Sequence, residues 1–252
     1  MKVRKKPLPI TAEKVARDAM KLVNPALVDS YATVIRCFAA FPELACKPRG
    51  KGTDIGTAAF IKRQASAFNG GRTIRPPSAP TTVSDPLVSV ILQEHFSVPA
   101  ADLARVKREH SLSMIAENFV GELLERYLAN KLESKGWIWC SGNVAKKIDF
   151  VKEPTGTTED WLLLQIKNRD NTENSSSSSV RAGTSIIKWH RTKSRTGETN
   201  WANFPDAAVK AEISERGFVE YVKIYLDKLP KGKTRDAARA TASTSVDLFG
   251  KD

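Results

Sequence analysis

The sequence has little of what membrane, zinc-binding or disulfide-rich proteins need. No apolar run approaches the roughly 18–20 residues that cross a bilayer, and no apolar signal segment follows the basic start MKVRKKPLPITAEK. Three cysteines, Cys37, Cys46 and Cys140, form no CxxC pair, and with three isolated histidines they form no cluster of zinc spacing. We therefore expect a cytoplasmic protein with no membrane partner and with reduced, buried thiols.

Acidic residues are too few to balance the basic ones. Forty Lys and Arg against 28 Asp and Glu give a net charge of +12 over 252 residues, with a pI near 9.7. Such an excess favours a polyanionic partner, because each neutralised phosphate releases condensed counterions. The charge therefore indicates nucleic acid, with a merely soluble basic protein as the alternative.

The first half of the chain has the apolar spacing of helices. We predict helices, separated by turn and helix-breaking residues, at 11–23, 26–40, 86–96, 100–110 and 113–135. The stretch 47–85 is rich in Gly, Pro and basic residues and is predicted to be irregular. Loops of that length are usually functional or disordered, so Arg72 and Arg75 are candidate DNA contacts, with a solvated loop as the alternative.

The second half alternates strands with a final helix. We predict strands at 137–140, 144–151 and 160–168, and a helix at 206–228. This order favours an α/β or α+β fold. We expect a single domain over residues 1–230, with a helical N-terminal part at about 11–110 and a core at about 111–228, followed by a mobile tail at 231–252.

Polar residues interrupt two of the predicted strands and one helix. Asp149 lies on the opposite strand face from Val144, Ile148 and Phe150, where strand propensity gives no reason for it. Three leucines then lead to Gln165 and Lys167, which lie two residues apart and hence on one face. An amide oxygen and an ammonium presented shortly after a strand bearing an aspartate suit a metal and a phosphate, although a strand end that simply becomes polar is the alternative.

The helix SMIAENFVGELLERYLANKL carries a carboxylate on its apolar arc. Glu117 is predicted to lie between Leu124 and Leu128 on that arc. A core-facing carboxylate costs free energy unless it is paired or bound to metal. A residue at the edge of the core is the alternative reading, and Glu122, beside the arc, is the second candidate for a functional helix carboxylate.

A glutamate on a helix, an aspartate on a strand and Q-x-K on the next strand resemble the PD-(D/E)xK nuclease pattern. The block NRDNTENSSSSSVRAGTSIIKWHR at 168–191, the motifs TNW and NFP that follow it, and SMIAENFVGELLERYLANKLESKGWIWCSG resemble the SinI/AvaII group of type II restriction endonucleases. The resemblance covers about residues 11–228 and is most specific over 111–205.

This resemblance implies a fold and an activity. The fold is a PD-(D/E)xK restriction-endonuclease-like core, a central mixed sheet flanked by helices, with a helical N-terminal region. The activity is Mg²⁺-dependent cleavage of double-stranded DNA at GGWCC (W is A or T), after the first G, leaving 5′-phosphates. Asp149, Gln165, the Ile166 carbonyl and Glu117 would hold the ion, and Lys167 would orient the attacking water.

Two positions depart from the PD-(D/E)xK pattern. Residue 148 is Ile where the motif has Pro, which is a mild change. Residue 165 is Gln where the motif has Asp or Glu, so one negative charge is missing, although the amide oxygen can still face Mg²⁺.

The segment after Lys167 carries many groups that can bond DNA. Arg and Lys can bond guanine O6 and N7, and amides and hydroxyls offer further base or phosphate contacts. The serine run would ordinarily be a linker, but beside the Lys167 strand we predict a DNA-facing loop. Trp189 and Trp201 are predicted to be core anchors. The candidate DNA contacts in this segment are Arg169, Asn171, Asn174, Ser175, Ser176, Arg181, Lys188, Arg191, Lys193 and Arg195.

The implied partners follow from a near-palindromic site cut on both strands. A two-fold homodimer meets that symmetry most simply, and the helix predicted at 206–228 is one candidate interface. A cognate DNA methyltransferase is expected as a genetic, not a physical, partner. Two alternatives remain: another nuclease of the superfamily, such as a repair or junction-resolving enzyme, and a non-catalytic DNA- or RNA-binding protein in which Gln165 marks a decayed site.

Overall fold

A computed structural model of the chain describes residues 11–47, 54–78, 85–156, 160–170 and 185–230. The described chain divides into two compact units. The sheet unit comprises residues 11–73 and 124–221, and the helical unit comprises residues 74–123 and 222–230. The single domain expected over 1–230 stays a prediction, and the tail at 231–252 lies outside the described residues.

Three helices open the sheet unit. They are α1 (Ala12–Val23), α2 (Val28–Ala40) and α3 (Ala58–Gly70). Short 3₁₀ turns, Pro25–Leu27 and Pro42–Leu44, begin at prolines, which fit the first position of a helical turn because they have no N–H to satisfy. The helices predicted at 11–23 and 26–40 are therefore confirmed within one or two residues.

Helix α3 corrects the prediction of an irregular segment over 47–85. The Thr57 hydroxyl accepts a hydrogen bond from the Phe60 N–H at 3.1 Å and so caps the helix. Phe60, Ile61 and Phe68 are buried in the core shared with α1 and α2. The glycines and prolines on either side of α3 led to the prediction of an irregular segment, although the short stretch between them has an amphipathic pattern.

The sheet is mixed and has four strands among the described residues. In chain order these are β1 (Trp137–Trp139), β2 (Phe150–Lys152), β3 (Leu162–Arg169) and β4 (Ile186–Thr192), which are also neighbours in that order. β1, β2 and β3 pair antiparallel, whereas β3 and β4 pair parallel. The expected α+β class with a mixed sheet is confirmed, and β4 is a strand that the sequence did not predict.

The two faces of the sheet pack on different partners. Val151 and Leu163 belong to the core formed with α1–α3, and Ile186 packs against that core. On the other face, the Trp189 ring lies 5.2 Å from the Trp201 ring, centroid to centroid. Both tryptophans are buried, as predicted.

Helix α5 (Leu103–Leu132) is one continuous helix of 30 residues, where the sequence predicted two. Its residues 124–132 belong to the sheet unit and carry the buried Arg126. The Arg126 guanidinium donates to the carbonyl oxygens of Gly71 and Thr73, each at 2.9 Å, and thereby ties α5 to the chain that leaves α3.

The helix predicted at 206–228 is two helices, α6 (Ala207–Lys210) and α7 (Glu215–Asp227). The Ser214 hydroxyl accepts from the Gly217 N–H at 3.1 Å and starts α7 afresh.

The helical unit contains α4 (Pro86–Glu94), the first part of α5 and the end of α7. Within it, Tyr225 packs on Phe119 with ring centroids 5.9 Å apart, and Arg75 bonds Glu122 at 2.8 Å. None of the helices in the described ranges combines the length and the apolar character required to traverse a bilayer.

Two glycines let α3 touch the turn that leads towards Asp149. A Cβ on Gly71 would lie 2.2 Å from the Gly142 nitrogen, and one on Gly142 would lie 1.9 Å from the Ala67 carbonyl oxygen. Gly142 also has a φ of +76°, which L side chains rarely adopt. The Ser141 hydroxyl, next to it, donates to the Phe68 carbonyl at 2.7 Å. The end of α3 therefore fixes the start of the β1–β2 connection.

We expect Gly142→Ala to lower the free energy of unfolding by roughly 2–4 kcal/mol, because it adds both a backbone clash and a strained φ. Urea denaturation measures the change. Gly156→Ala is the matched control, since a Cβ there has no heavy atom within 4 Å. Equal stability of the two variants would contradict the packing described for α3.

Candidate active site at the end of the sheet

Asp149 lies immediately before β2, and its backbone extends the hydrogen bonding of β2 with both neighbouring strands by one residue. Its N–H donates to the Leu164 carbonyl and its carbonyl accepts from the Cys140 N–H, both at 2.8 Å. Its carboxylate oxygen Oδ2 accepts a hydrogen bond from the Ile166 N–H at 2.6 Å. The Asp149 side chain, and not a backbone carbonyl of a neighbouring strand, therefore accepts the hydrogen bond of the Ile166 N–H in β3.

Burial raises the pKa of the Asp149 carboxyl to about 6, although the Ile166 N–H and the Lys167 ammonium act to lower it. The half-buried carboxylate thus has less solvation than its charge would have in water. A cation beside it would favour the ionised form.

Gln165 and Lys167 share one face of β3, as their spacing predicts. Leu163, on the same face, lies in the core with α1–α3, Gln165 is buried at the next position, and Lys167 is exposed. Ile166 points to the other face and is buried. Gln165 and Lys167 therefore lie where the apolar core on this face of the sheet ends. The positive charge of Lys167 acts to lower the pKa of Asp149.

Strand β4 brings two further side chains to the same face. The parallel register sets Lys188 beside Gln165 and His190 beside Lys167. Lys188 is among the predicted DNA contacts, whereas His190 is one of the three histidines that are isolated in the sequence. The alternation in IIKWHRT, with Trp189 buried and Lys188 and His190 on the opposite face, is the signal that could have indicated β4.

Glu117 does not occupy the core-facing position predicted for it. It is exposed on α5 and belongs to the helical unit. Leu112 and Met114 nearby are exposed too, so this part of α5 has no buried stripe. Glu122 is half-buried and pairs with Arg75. The role of either glutamate as a metal ligand stays a prediction.

Two of the predicted DNA contacts are held inside the fold. The Arg72 guanidinium bonds both carboxylate oxygens of Glu133, at 3.0 and 2.6 Å, and lies over the Phe68 ring. The Arg191 guanidinium bonds Asn168 and Glu215. Arg191 therefore lies on β4 and Arg72 in the turn that follows α3, each paired with a glutamate, and the role of either arginine in binding DNA stays a prediction.

Some of the other predicted DNA contacts lie within the described residues and some lie outside them. Arg169 and Arg195 are exposed, Arg75 pairs with Glu122, and Lys193 pairs with Glu198 at 2.7 Å. The residues of the serine-rich segment lie outside the described ranges; these are Asn171, Asn174, Ser175, Ser176 and Arg181.

The family model for the SinI restriction endonuclease matches residues 12–228 of the chain. The chain belongs to the SinI restriction endonuclease family. Among curated proteins it is 47% identical to the type II restriction enzyme Eco47I of Escherichia coli and 46% identical to the type II restriction enzyme SinI of Salmonella infantis. Each comparison extends over 220 residues and covers 86% of this chain and 95% of the relative.

The donor set of this SinI-family site fits a hard divalent cation. Asp149 offers a carboxylate, Gln165 an amide oxygen and Ile166 a carbonyl, and oxygen ligands are those that Mg²⁺ prefers. Within the described ranges, no three His, Cys, Asp or Glu residues gather as a metal cluster.

We expect Asp149→Asn to stabilise the metal-free protein at pH 8. A folded pKa of about 6 exceeds that of an unfolded aspartate, so the favourable contribution of Asp149 is present at low pH and is lost as the pH rises through 6. Because a tenfold change in proton affinity corresponds to ~1.4 kcal/mol, we expect a gain of about 1–3 kcal/mol at pH 8 and a smaller gain at pH 5.

Urea denaturation in EDTA at both pH values tests this expectation. Added Mg²⁺ should then stabilise the unmodified protein but not the variant. Asp18→Asn, which removes an exposed carboxylate on α1, should change neither value. If Asp149→Asn instead made the protein less stable at pH 8, that result would argue against a destabilising buried charge.

Proposed function

We propose that this chain is a type II restriction endonuclease that makes Mg²⁺-dependent double-strand cuts at GGWCC, after the first G, and leaves 5′-phosphate ends. Membership of the SinI family and the naming of both relatives as type II restriction enzymes support the activity. The observation that carries the site is the hydrogen bond that the Asp149 carboxylate accepts from the N–H of Ile166, the residue between Gln165 and Lys167 in the chain. We further propose that this sheet is a PD-(D/E)xK core.

The proposed roles follow from the chemistry of each side chain. The carboxylate of Asp149, the amide oxygen of Gln165 and the Ile166 carbonyl would hold the ion, with Glu117 as a further candidate. Bound there, Mg²⁺ would supply Lewis acidity towards the scissile phosphate. The Lys167 ammonium would offset phosphate charge and orient the attacking water.

Sequence recognition falls to the chain around β4. Arg169 at the end of β3, Lys188 on β4 and the exposed Arg195 lie on either side of the segment 171–184, which holds five of the predicted contacts. Arginine and lysine can bond guanine O6 and N7, which a G·C-ended site presents. A cognate methyltransferase would modify the same site.

We expect a linear DNA with a single GGACC to be cut into two fragments in the presence of Mg²⁺, with ends that map after the first G and accept ligation without added phosphate. The same DNA with GGGCC should stay intact, because W excludes G. Mapping by primer extension measures both strands. Cuts at unrelated positions would favour a repair or junction-resolving nuclease over a restriction enzyme.

Lys167→Ala separates catalysis from binding in that assay. Loss of a group that acts on the water and phosphate should lower the cleavage rate by about 10²–10⁴-fold while DNA binding in Ca²⁺ stays within about tenfold. Lys62→Ala, which removes an exposed lysine on α3, is the control and should cut normally. Full activity of the Lys167 variant would instead favour a site that has lost its catalytic role.

The amide at position 165 should set the magnesium requirement. We expect Gln165→Glu to lower the Mg²⁺ concentration for half-maximal cleavage by about tenfold or more, because a second anionic ligand adds several kcal/mol of attraction at effective dielectric constants near 20. Asn130→Asp adds the same charge at an exposed position of α5 and should leave the requirement unchanged. An unaltered requirement in the Gln165 variant would remove residue 165 from the ligand set.

A further inference from the structure

The connection between β1 and β2 has three residues with a positive φ, and they differ in how well they suit that backbone. Gly142 has a φ of +76° and Asn143 a φ of +56°, and glycine and asparagine adopt the left-handed region most readily. Lys147 has a φ of +66°, although it lacks the short polar side chain that lets asparagine bond the local backbone. The residue at position 147 is therefore not one that its backbone favours.

Pairing on both sides holds residue 147 in this conformation. The N–H of Lys146 donates to the Leu44 carbonyl at 2.7 Å, and the N–H of Asp149 donates to β3 at 2.8 Å. Between them, the Ile148 side chain is buried in the core formed with α1–α3. The chain must change its pairing partner between residues 146 and 149, and the strained φ of Lys147 accommodates that change.

The side chain of Lys147 makes no contact that would account for a lysine at this position. It is exposed, and no hydrogen bond or ion pair joins its ammonium to another residue of the described ranges. Glycine or asparagine would fit the backbone with less strain and would lose no such contact. Strained residues concentrate at functional sites, so the strain at Lys147 points to a ligand for its ammonium.

Lys146 shows that charge alone does not account for position 147. It is exposed as well, and it is not among the described residues with a positive φ. An ammonium on this connection is therefore available without strain. Because the direction of a side chain depends on the backbone that carries it, the two lysines are not equivalent.

The position of Lys147 identifies the ligand, and this step rests on the proposed function. At most roughly 7 Å of chain separates the Cα atoms of Lys147 and Asp149. Each strand of duplex DNA carries a phosphate about every 3.4 Å of helix axis, so a scissile phosphate at Asp149 brings its neighbours within reach of a lysine side chain. We propose that the Lys147 ammonium binds a DNA phosphate next to the scissile one and positions the backbone without reading its sequence.

Lys147→Asn tests the proposal, because stability and DNA binding should change in opposite directions. Relief of the strained φ should raise the melting temperature by about 1–3 °C. Binding to a GGACC duplex in Ca²⁺ should weaken by about tenfold, and equally on a duplex without GGWCC. The slope of log K against log salt should become less negative by about 0.9. An unchanged slope, or a variant less stable than the unmodified protein, would overturn the proposal.

Three matched variants separate strain, charge and site. Lys147→Arg keeps both the charge and the strain, and should match the unmodified protein in melting temperature and salt slope. Lys146→Asn relieves no strain and should give no rise in melting temperature. Lys62→Asn removes an exposed charge on α3 and should leave the salt slope unchanged. An equal loss of slope in the Lys62 variant would assign the effect to net charge and overturn the proposal.

Cleavage kinetics distinguish this contact from the chemical step. Lys147→Asn should raise KM by about tenfold and change kcat by less than about threefold, because a contact to a flanking phosphate holds substrate and transition state alike. A large fall in kcat at unchanged KM would place Lys147 in the chemistry and overturn the positioning role.

The proposed contact and the proposed function fail separately, since binding in Ca²⁺ needs no cleavage. A protein that binds DNA with a salt slope dependent on Lys147, but does not cut in Mg²⁺, would refute the endonuclease and leave the phosphate contact standing. Cleavage at GGWCC that Lys147→Asn alters in neither KM nor salt dependence would overturn the contact and leave the endonuclease standing.

Discussion

The hydrogen bond from the Ile166 N–H to the Asp149 carboxylate is the contact on which the candidate site depends. The donor belongs to the backbone of β3, so its position is set by the strand and not by a side-chain rotamer. The acceptor is a charge that burial destabilises, as the raised pKa of Asp149 shows. This contact therefore orients the carboxylate and offsets part of the cost of burying its charge, and a bound cation would offset more of that cost.

Packing far from the carboxylate fixes where it lies. The segment 44–46 pairs with 144–146, through the Cys46 N–H on the Val144 carbonyl and the Lys146 N–H on the Leu44 carbonyl. The end of α3 packs so closely against residue 142 that only a glycine, which has no Cβ, fits at that position. The first three helices thus hold the chain that approaches Asp149, and the helical N-terminal region is part of the scaffold of the site.

The sequence predicted what depends on local periodicity and missed what depends on distant pairing. Alternation placed Gln165 and Lys167 on one face of β3, whereas Asp149, predicted within a strand over 144–151, lies immediately before β2. β4 was not predicted, because its parallel pairing with β3 depends on residues distant in the chain and because its exposed face is polar. The predicted burial of Glu117 was wrong for a related reason. A helical wheel shows which residues share an apolar arc but not how much of the helix packs against a core. Part of α5, including Leu112 and Met114, is exposed.

The glutamine at position 165 has a physical rationale in this setting. Residue 165 is buried next to the half-buried Asp149, and a second carboxylate there would add like-charge repulsion to the cost of burial. Lys188, its neighbour on β4, offers positive charge from the side opposite β2. A site with one carboxylate and two lysines on adjacent strands attracts the DNA phosphate more strongly, and holds a divalent cation less tightly, than a site with two carboxylates. In the function proposed above, such a balance would couple occupation of the metal site to the arrival of DNA, whose phosphate oxygens would supply the negative charge that residue 165 does not.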